Sequence, residues 1–133
     1  MISMQFLTAG KATFTVDNGK GTHYTFKIAE KIFLNSMNTQ RYLFVRMLTE
    51  AKKYTYLGTF QYGVCKVTKK SKLKSDSKPV QVFNWAVEQI SSQANLPNGY
   101  SIKHSGKCGK CQRKLTTPKS LATGLGPVCG NRQ

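Results

Sequence analysis

The sequence predicts a small α+β protein with three parts: a mainly antiparallel sheet, one amphipathic helix and a C-terminal structural zinc module. Three observations predict it. Residues 1–68 contain alternating apolar and polar stretches with turn residues between them, residues 78–92 change to helical periodicity, and residues 103–133 hold three of the four cysteines. We therefore divide the chain into an α+β domain, residues 1–95, and a basic zinc-binding module, residues 96–133.

The first two strands are predicted as a β-hairpin. Ala12, Phe14 and Val16 alternate with threonines, and a second alternating stretch begins at Tyr24. The segment DNGKG between them supplies residues that tolerate a positive φ. The stretch RYLFVRMLT is more continuously apolar, so we expect a third strand that is buried on both faces. KYTYLGTF and YGVCKVT are predicted as two further strands.

A loop and a helix follow the strands. Residues 66–78 are rich in Lys and Ser and are predicted to form an exposed basic loop. The helix is predicted over about residues 78–92, because Val80, Phe83, Val87 and Ile90 fall on one helical face. Ser77 is the candidate N-cap. The stretch YSIKH is predicted as a short strand that leads into the cysteines.

The C-terminal cysteines have the spacing of a metal site. His104, Cys108, Cys111 and Cys129 give the pattern H-x3-C-x2-C-x17-C. A C-x2-C pair places two sulfurs on one side of a tight turn, as a tetrahedral Zn²⁺ site requires. One structural zinc ion is therefore the predicted cofactor, held by these four residues. For the fourth ligand, Cys65 and His23 stay open as alternatives to His104.

Three other interpretations of the cysteines are less consistent with the sequence. A redox C-x2-C motif would open a helix in a βαβ unit, and the sequence predicts no such unit. A disulfide is disfavoured because the N-terminus lacks a secretory signal, so we expect an intracellular location where thiols stay reduced. Non-ligand cysteines remain the third interpretation, and for Cys65, inside an apolar strand, we expect a buried core thiol.

The cysteine region also resembles a known type of segment. HSGKCGKCQRKLTTPKSLATGLGPVCG is similar to a short zinc-binding module of small, poorly characterised phage and bacterial proteins. The matching positions are His104, Gly106, Cys108, Cys111, Arg113, Leu115, Thr116, Pro118, Ser120, Gly124, Gly126, Pro127 and Cys129. Gln112 departs from the pattern, which has Gly there to relieve a left-handed turn. The resemblance implies bound zinc and a phage or mobile-element origin, and it implies no established activity.

The charge of the chain predicts a polyanionic partner. Lys and Arg number 21 against 5 acids, a formal net charge of +16. Such an excess repels itself in the compact state and favours a nucleic-acid partner, bound with low sequence specificity. We expect phosphate contacts from basic residues and base stacking from two tyrosines. The predicted contact residues are Lys103, Lys107, Lys110, Arg113, Lys114, Lys119 and Arg132, then Lys66, Lys69, Lys70, Lys72 and Lys74 in the loop, and Lys52, Lys53, Tyr54 and Tyr56.

Several classes of function are disfavoured. The acids Asp17, Glu30, Glu50, Asp76 and Glu88 are scattered, whereas metal-dependent nucleases need clustered carboxylates. A zinc ion with four protein ligands has no open position for catalysis, so we expect neither an enzyme nor a small-molecule substrate. No apolar run approaches the ~18 residues that span a bilayer, so we expect no membrane partner and a cytoplasmic location, in the host cell if a phage encodes the chain.

A second function class stays open. Small phage proteins often bind and inhibit a host protein machine, such as an RNA polymerase, a nuclease or a defence complex. The positive charge would then dock onto an acidic protein surface or a nucleic-acid channel. An exposed apolar patch on the sheet, flanked by lysine, would favour this alternative.

Overall fold

A single curled sheet dominates the structure. The computed structural model describes residues 2–34, 37–49, 53–116 and 118–126. Its elements are α1 (Met4–Leu7), β1 (Lys11–Asp17), β2 (His23–Leu34), β3 (Thr39–Leu48), β4 (Tyr54–Gln61), β5 (Val64–Lys66), α2 (Lys78–Ser92), β6 (Ser101–His104) and α3 (Pro118–Thr123). Within these residues, six strands form one sheet in the order β5-β4-β3-β2-β1-β6. All five neighbouring pairs are antiparallel, and the sheet curls into a half-barrel.

The β1–β2 hairpin is fixed by its turn. Asp17 Oδ1 accepts a hydrogen bond from the Gly19 N–H at 2.7 Å, and Asn18 Oδ1 accepts one from the Lys20 N–H at 2.7 Å. Such side-chain bonds to nearby amides stabilise tight turns. Gly19 has a φ of +72°, and a Cβ there would lie 2.4 Å from the Gly99 carbonyl oxygen. The turn therefore requires glycine, as the DNGKG segment indicates.

The β2–β3 hairpin is longer than its neighbours. β1 pairs with β2 only as far as Ala29, and β4 pairs with β3 only as far as Phe44. Residues 30–34 and 39–43 therefore form a two-stranded extension, here called the ribbon. The prediction that β3 is buried on both faces is wrong, because Val45 is buried while Tyr42 and Arg46 are exposed.

Helix α2 fills the concave side of the sheet. The Phe83 ring lies 6.0 Å from Phe14, 5.3 Å from Phe26 and 5.8 Å from Phe60, measured between ring centroids. We call this covered side the inner face and the opposite side the outer face. α2 ends at Gln93, which adopts a left-handed conformation. None of the described helices is long and apolar enough to cross a membrane.

The C-terminal segment joins the same sheet. β6 pairs with β1, with His104 opposite Phe14. Beyond β6, the backbone closes onto the start of β1, because the Lys11 N–H donates to the Gly109 carbonyl at 2.7 Å. The Gly109 N–H in turn donates to the Gly124 carbonyl at 2.9 Å.

Phe6 anchors this segment from the other end of the chain. Its side chain is fully buried. A Cβ on Gly109 would lie 2.6 Å from the Phe6 ring, and a Cβ on Gly124 would lie 2.5 Å from it. The two backbones therefore pack directly on the aromatic ring, and only glycine leaves room for that contact.

The predicted fold class is therefore wrong. The chain is a mostly antiparallel β structure, with 39% strand and 20% helix, and the helix is divided among α1, α2 and α3. The described part of the C-terminal segment shows no separate zinc module. The physical reason is that β1 offers a free edge to β6, and Phe6 supplies an apolar contact that the segment lacks on its own. The proposed boundary near residue 95 stays a prediction.

The Phe6 contact predicts a difference between two glycine substitutions. Gly124→Ala and Gly21→Ala both place alanine at a positive φ, +83° and +93°. A Cβ at position 21 meets nothing within 4 Å, whereas one at position 124 strikes Phe6. We expect Gly124→Ala to lose about 1–3 kcal/mol more of the free energy of unfolding than Gly21→Ala. Urea unfolding followed by circular dichroism measures both, and equal losses would contradict the contact.

Candidate nucleic-acid and metal sites

The two neighbouring cysteines lie in a tight backbone loop. Lys107 and Lys114 form an antiparallel bridge that closes it. Inside the loop, the Cys108 N–H donates to the Arg113 carbonyl at 2.8 Å, and the Gln112 N–H donates to the Cys108 carbonyl at 3.0 Å. This arrangement holds the cysteine pair on one short turn, as the C-x2-C spacing predicts.

The Cys108 thiol is surrounded by amide groups. Its side chain is fully buried, and the Lys110 N–H approaches its sulfur at 3.5 Å. Burial raises the pKa of this thiol. Hydrogen bonds from the amides of Cys111, Gly126 and Lys110 act in the opposite direction, as does the Cys111 thiol, and the pKa falls to about 6. The net effect favours the thiolate, which is the form that binds metal ions.

The described chain returns to the cysteine loop near its end. A Cβ on Gly126 would lie 4.0 Å from the Cys108 sulfur. Cys129, the third predicted cysteine ligand, lies outside the described residues. Cys111 is exposed and hydrogen-bonds to Cys108 through its thiol. Cys108 and Cys111 thus fit two positions of a zinc site.

His104 is held between the cysteine loop and α3. The Gly106 N–H donates to its Nδ1 at 2.9 Å, so Nε2 carries the hydrogen and donates to the Leu121 carbonyl. Its ring lies 5.8 Å from that of Phe6. Histidines that ligate zinc commonly donate their second ring N–H to a carbonyl, as Nε2 does here. A metal ion at Nδ1 would replace the Gly106 N–H.

The alternative fourth ligands lie elsewhere. Cys65 is buried on the edge strand β5, where burial raises the pKa of its thiol to about 11. His23 is exposed at the start of β2, opposite Asp17. Neither belongs to the cysteine loop. Among the described residues, which include His104, Cys108 and Cys111, no three His, Cys, Asp or Glu side chains form a group that would hold a metal ion.

The basic residues predicted to contact nucleic acid divide between the two edges of the sheet. Those near the cysteines are exposed beyond the edge strand β6, and those of the loop follow the opposite edge strand β5. On the β6 side the exposed residues are Lys103, Lys107, Lys110, Arg113, Lys114 and Lys119. On β5 and in the loop after it they are Lys66, Lys69, Lys70, Lys72 and Lys74. Lys53 is exposed directly before β4, between the two edges. Lys52 and Arg132 lie outside the described residues.

The outer face of the sheet carries a row of aromatic side chains. We call Phe33, Tyr42, Phe44, Tyr54 and Tyr56 the aromatic row. Ring centroids along it are 5.4 Å apart for Phe33 and Tyr42, then 6.4 Å from Tyr42 to Phe44 and 6.0 Å from Phe44 to Tyr56. Phe33 is 44% exposed, Tyr42 38% and Tyr54 42%. These three side chains are therefore partly exposed to solvent.

Lysine ammonium groups lie over two of these rings. The Lys31 ammonium sits 5.2 Å from the centre of the Phe33 ring, and that of Lys27 sits 5.6 Å from the centre of Tyr54. Arg46 is exposed on the same face, opposite Lys27 on β2 and beside Tyr56 on β4. The outer face of β2, β3 and β4 is thus both aromatic and positively charged.

Tyr54 and Tyr56 were predicted from the sequence as contact residues, and much of the outer face around them was not. Phe33, Lys27, Lys31 and Arg46 were not predicted as site residues. The signal was present in the strand period, because residues at odd numbers in β2 alternate with the buried Phe26 and so face outward. To use this signal, one must know that β2 continues to Leu34. No turn residue in the sequence marks where the ribbon begins.

The tip of the ribbon exposes aliphatic residues. Ile32 is 52% exposed, Leu34 78% and Met37 85%. Lys31 and Arg41 lie nearby on the paired strands, where Arg41 forms an ion pair with Glu30. Apolar side chains exposed together on a basic surface are typical of an interaction site.

Comparisons with known proteins give one match. Residues 101–133 match the model of a family described as a family of unknown function, DUF6011. The match spans only the C-terminal segment, which contains β6, the cysteine loop and α3. No curated protein and no solved structure matches the chain.

The left-handed conformation of Gln112 predicts that a glycine at this position destabilises the protein less than an alanine. It has a φ of +65°, and its side-chain amide donates to the Lys11 carbonyl at 2.7 Å and the Cys108 carbonyl at 3.1 Å. Gln112→Ala loses both bonds and keeps the strained φ, so we expect it to lower the free energy of unfolding by about 1–2 kcal/mol. Gln112→Gly loses the same bonds but relieves about 1 kcal/mol of backbone strain. Urea unfolding should therefore give Gln112→Gly a higher free energy of unfolding than Gln112→Ala. The opposite order would contradict the left-handed turn.

Proposed function

We propose that this protein binds single-stranded segments of nucleic acid on the outer face of its sheet, with low sequence specificity. The observation that carries the proposal is the aromatic row with lysines set among its rings. A sheet that presents open aromatic faces beside cations is a common platform for unpaired bases. The basic residues along both edges of the sheet would extend the contact to phosphates.

The energetics favour single strands. Stacking of a base on an aromatic side chain contributes about 1–3 kcal/mol, and only an unpaired base offers its face. Tyr42 supplies one such place, and Phe33 and Tyr54 supply two more when Lys31 and Lys27 move from their rings to phosphates. Neither stacking nor phosphate contact reads the edges of the bases, so little sequence specificity is expected. This assigns binding rather than catalysis to the chain.

Among the described residues, the nearest acids do not neutralise this surface. Glu30 projects toward the other face of β2 and pairs with Arg41. Asp17 lies at the end of β1, where its carboxylate accepts the Gly19 N–H. Lys27, Lys31 and Arg46 therefore keep their charge available for phosphate, and the field of the whole chain, at a net +16, adds to theirs.

We also propose that one Zn²⁺ is held by Cys108, Cys111, Cys129 and His104. The thiolate character of Cys108 and the position of Gly126 beside it support this assignment. The ion would cross-link the loop that carries Lys107 and Lys110 to the chain after α3. These lysines would then be fixed beside the edge of β6. We further propose that the protein is cytoplasmic and of phage or mobile-element origin.

One observation favours a second candidate function, the inhibition of a host protein machine. The ribbon tip exposes Ile32, Leu34 and Met37 next to Lys31 and Arg41. Apolar groups ringed by cations would suit an acidic protein surface on an RNA polymerase, a nuclease or a defence complex. Salt-resistant binding to such a purified protein, lost in Leu34→Ser, would favour it over the first candidate.

Fluorescence anisotropy with labelled single-stranded DNA and RNA tests the main proposal. Tyr42→Ala should weaken binding by about 5- to 150-fold, the loss of one stacked base. Tyr62→Ala is the matched control, because Tyr62 is 94% exposed in the β4–β5 turn and lies outside the aromatic row. Lys31→Gln should lower the slope of log affinity against log salt by about 0.7.

Two results would contradict the proposal. The first is equal weakening by Tyr42→Ala and Tyr62→Ala, which would mean that the aromatic row is not the contact surface. The second is the absence of nucleic-acid binding at low salt. The positive charge would then be explained by the second candidate function, binding to an acidic protein surface.

Metal analysis tests the zinc assignment. We expect about one zinc per chain in the wild type and in Cys65→Ala and His23→Ala, because these residues lie away from the cysteine loop. Cys108→Ser should lose the metal, and His104→Ala should bind it more weakly because one of the four ligands is gone. Zinc retained in Cys108→Ser, or lost in Cys65→Ala, would overturn the ligand set.

A further inference from the structure

A cavity of about 360 Å³ opens on the inner side of the sheet, away from the aromatic row. It lies between the β1–β2 turn, the first two turns of α2 and the loop before β6. Three aromatic side chains line it, Tyr24, Trp85 and Tyr100. A cavity with aromatic walls and a few polar groups is the usual form of a small-ligand site.

The aromatic walls suit a flat ring. The rings of Trp85 and Tyr100 lie 5.3 Å apart at an angle of 57°, and Tyr100 is 41% exposed. Trp85 and Tyr24 are half-buried and pack against the core, so that side of the cavity is firmly held. A planar heterocycle entering here would contact an aromatic face, and such contacts contribute about 1–3 kcal/mol.

The polar side of the cavity suits an anion. Lys78 and Gln81 lie one turn apart on α2 and both line it, and Thr22 adds a hydroxyl from the β1–β2 turn. No carboxylate is among the described residues that line the cavity. The Lys78 ammonium is therefore available for a negatively charged group carried by the ligand.

We infer that this cavity binds a single nucleotide, with its base against Trp85 and Tyr100 and its phosphate at Lys78. The nucleotide is either a free mononucleotide or the phosphorylated end of a nucleic-acid strand. The inference does not rest on the proposed function, because the cavity and the aromatic row lie on opposite faces of the sheet.

Trp85 provides the probe, because it is the only tryptophan of the chain. We expect AMP and UMP to quench its fluorescence in a saturable way, and adenosine to bind at least about tenfold more weakly for want of the charged contact. Lys78→Gln should lower the affinity for AMP to that for adenosine and leave adenosine unchanged. Tyr100→Ala should weaken both. Lys11→Gln, a charge-matched change at the exposed start of β1, should alter neither.

Two further comparisons locate the ligand and identify its source. Trp85 also borders a groove with Tyr62 and Glu88, and quenching there would be insensitive to Lys78→Gln and Tyr100→Ala. In the Tyr42→Ala background, a 5′-phosphorylated oligonucleotide that binds as tightly as AMP indicates a strand end, and binding of AMP alone indicates a free nucleotide. Either result supports the inference.

Two results would overturn the inference. One is the absence of saturable quenching by any phosphate-bearing probe. The other is quenching that Lys78→Gln and Tyr100→Ala leave unchanged. The experiment uses mononucleotides and the Tyr42→Ala variant, so its result does not depend on binding at the aromatic row. The inference and the proposed function can therefore fail separately.

Discussion

The packing of two glycines on the Phe6 ring joins the beginning of the chain to its end. Gly109 belongs to the cysteine loop and Gly124 follows α3, and a Cβ on either would lie within 2.6 Å of the ring. Together with the hydrogen bond from Lys11 to Gly109, this contact makes the cysteine region part of the sheet. Any metal bound there would therefore stabilise β1 and α1 as well as its own loop.

This arrangement leaves the outer face as the long accessible surface of the sheet. α2 occupies the inner face through Phe83, and the C-terminal segment covers the end near α1. Strand alternation then forces every second residue of β2, β3 and β4 outward. Because Lys27, Lys31, Arg46 and the aromatic row are among these residues, the constraint that builds the core also builds the candidate binding surface.

Local periodicity was sufficient for some elements. The turn residues located the β1–β2 hairpin, and the spacing of Val80, Phe83, Val87 and Ile90 located α2. The C-x2-C spacing indicated that Cys108 and Cys111 share one turn, and the departure at Gln112 marked a residue that is indeed left-handed. Each of these features depends on interactions between residues close in sequence.

Long-range contacts could not be predicted in the same way. The pairing of β6 with β1 joins residues far apart in the chain, and four residues carry too little pattern to choose a partner strand. The role of Phe6 depends on glycines more than a hundred positions away. Arg46 was hidden in an apolar stretch, so its outward direction needed the register with β2 and β4.

The most direct test of binding on the outer face is an NMR titration with a short single-stranded oligonucleotide. The protein carries uniform ¹⁵N for its backbone amides and ¹³C-labelled Phe and Tyr for its rings. The buried rings of Phe14, Phe26 and Phe83 serve as internal controls. We predict that the ring resonances of the aromatic row shift while those of the three controls stay in place. Shifts confined to backbone amides of residues 103–119, with the aromatic row unchanged, would contradict the account and place the contact on the cysteine region.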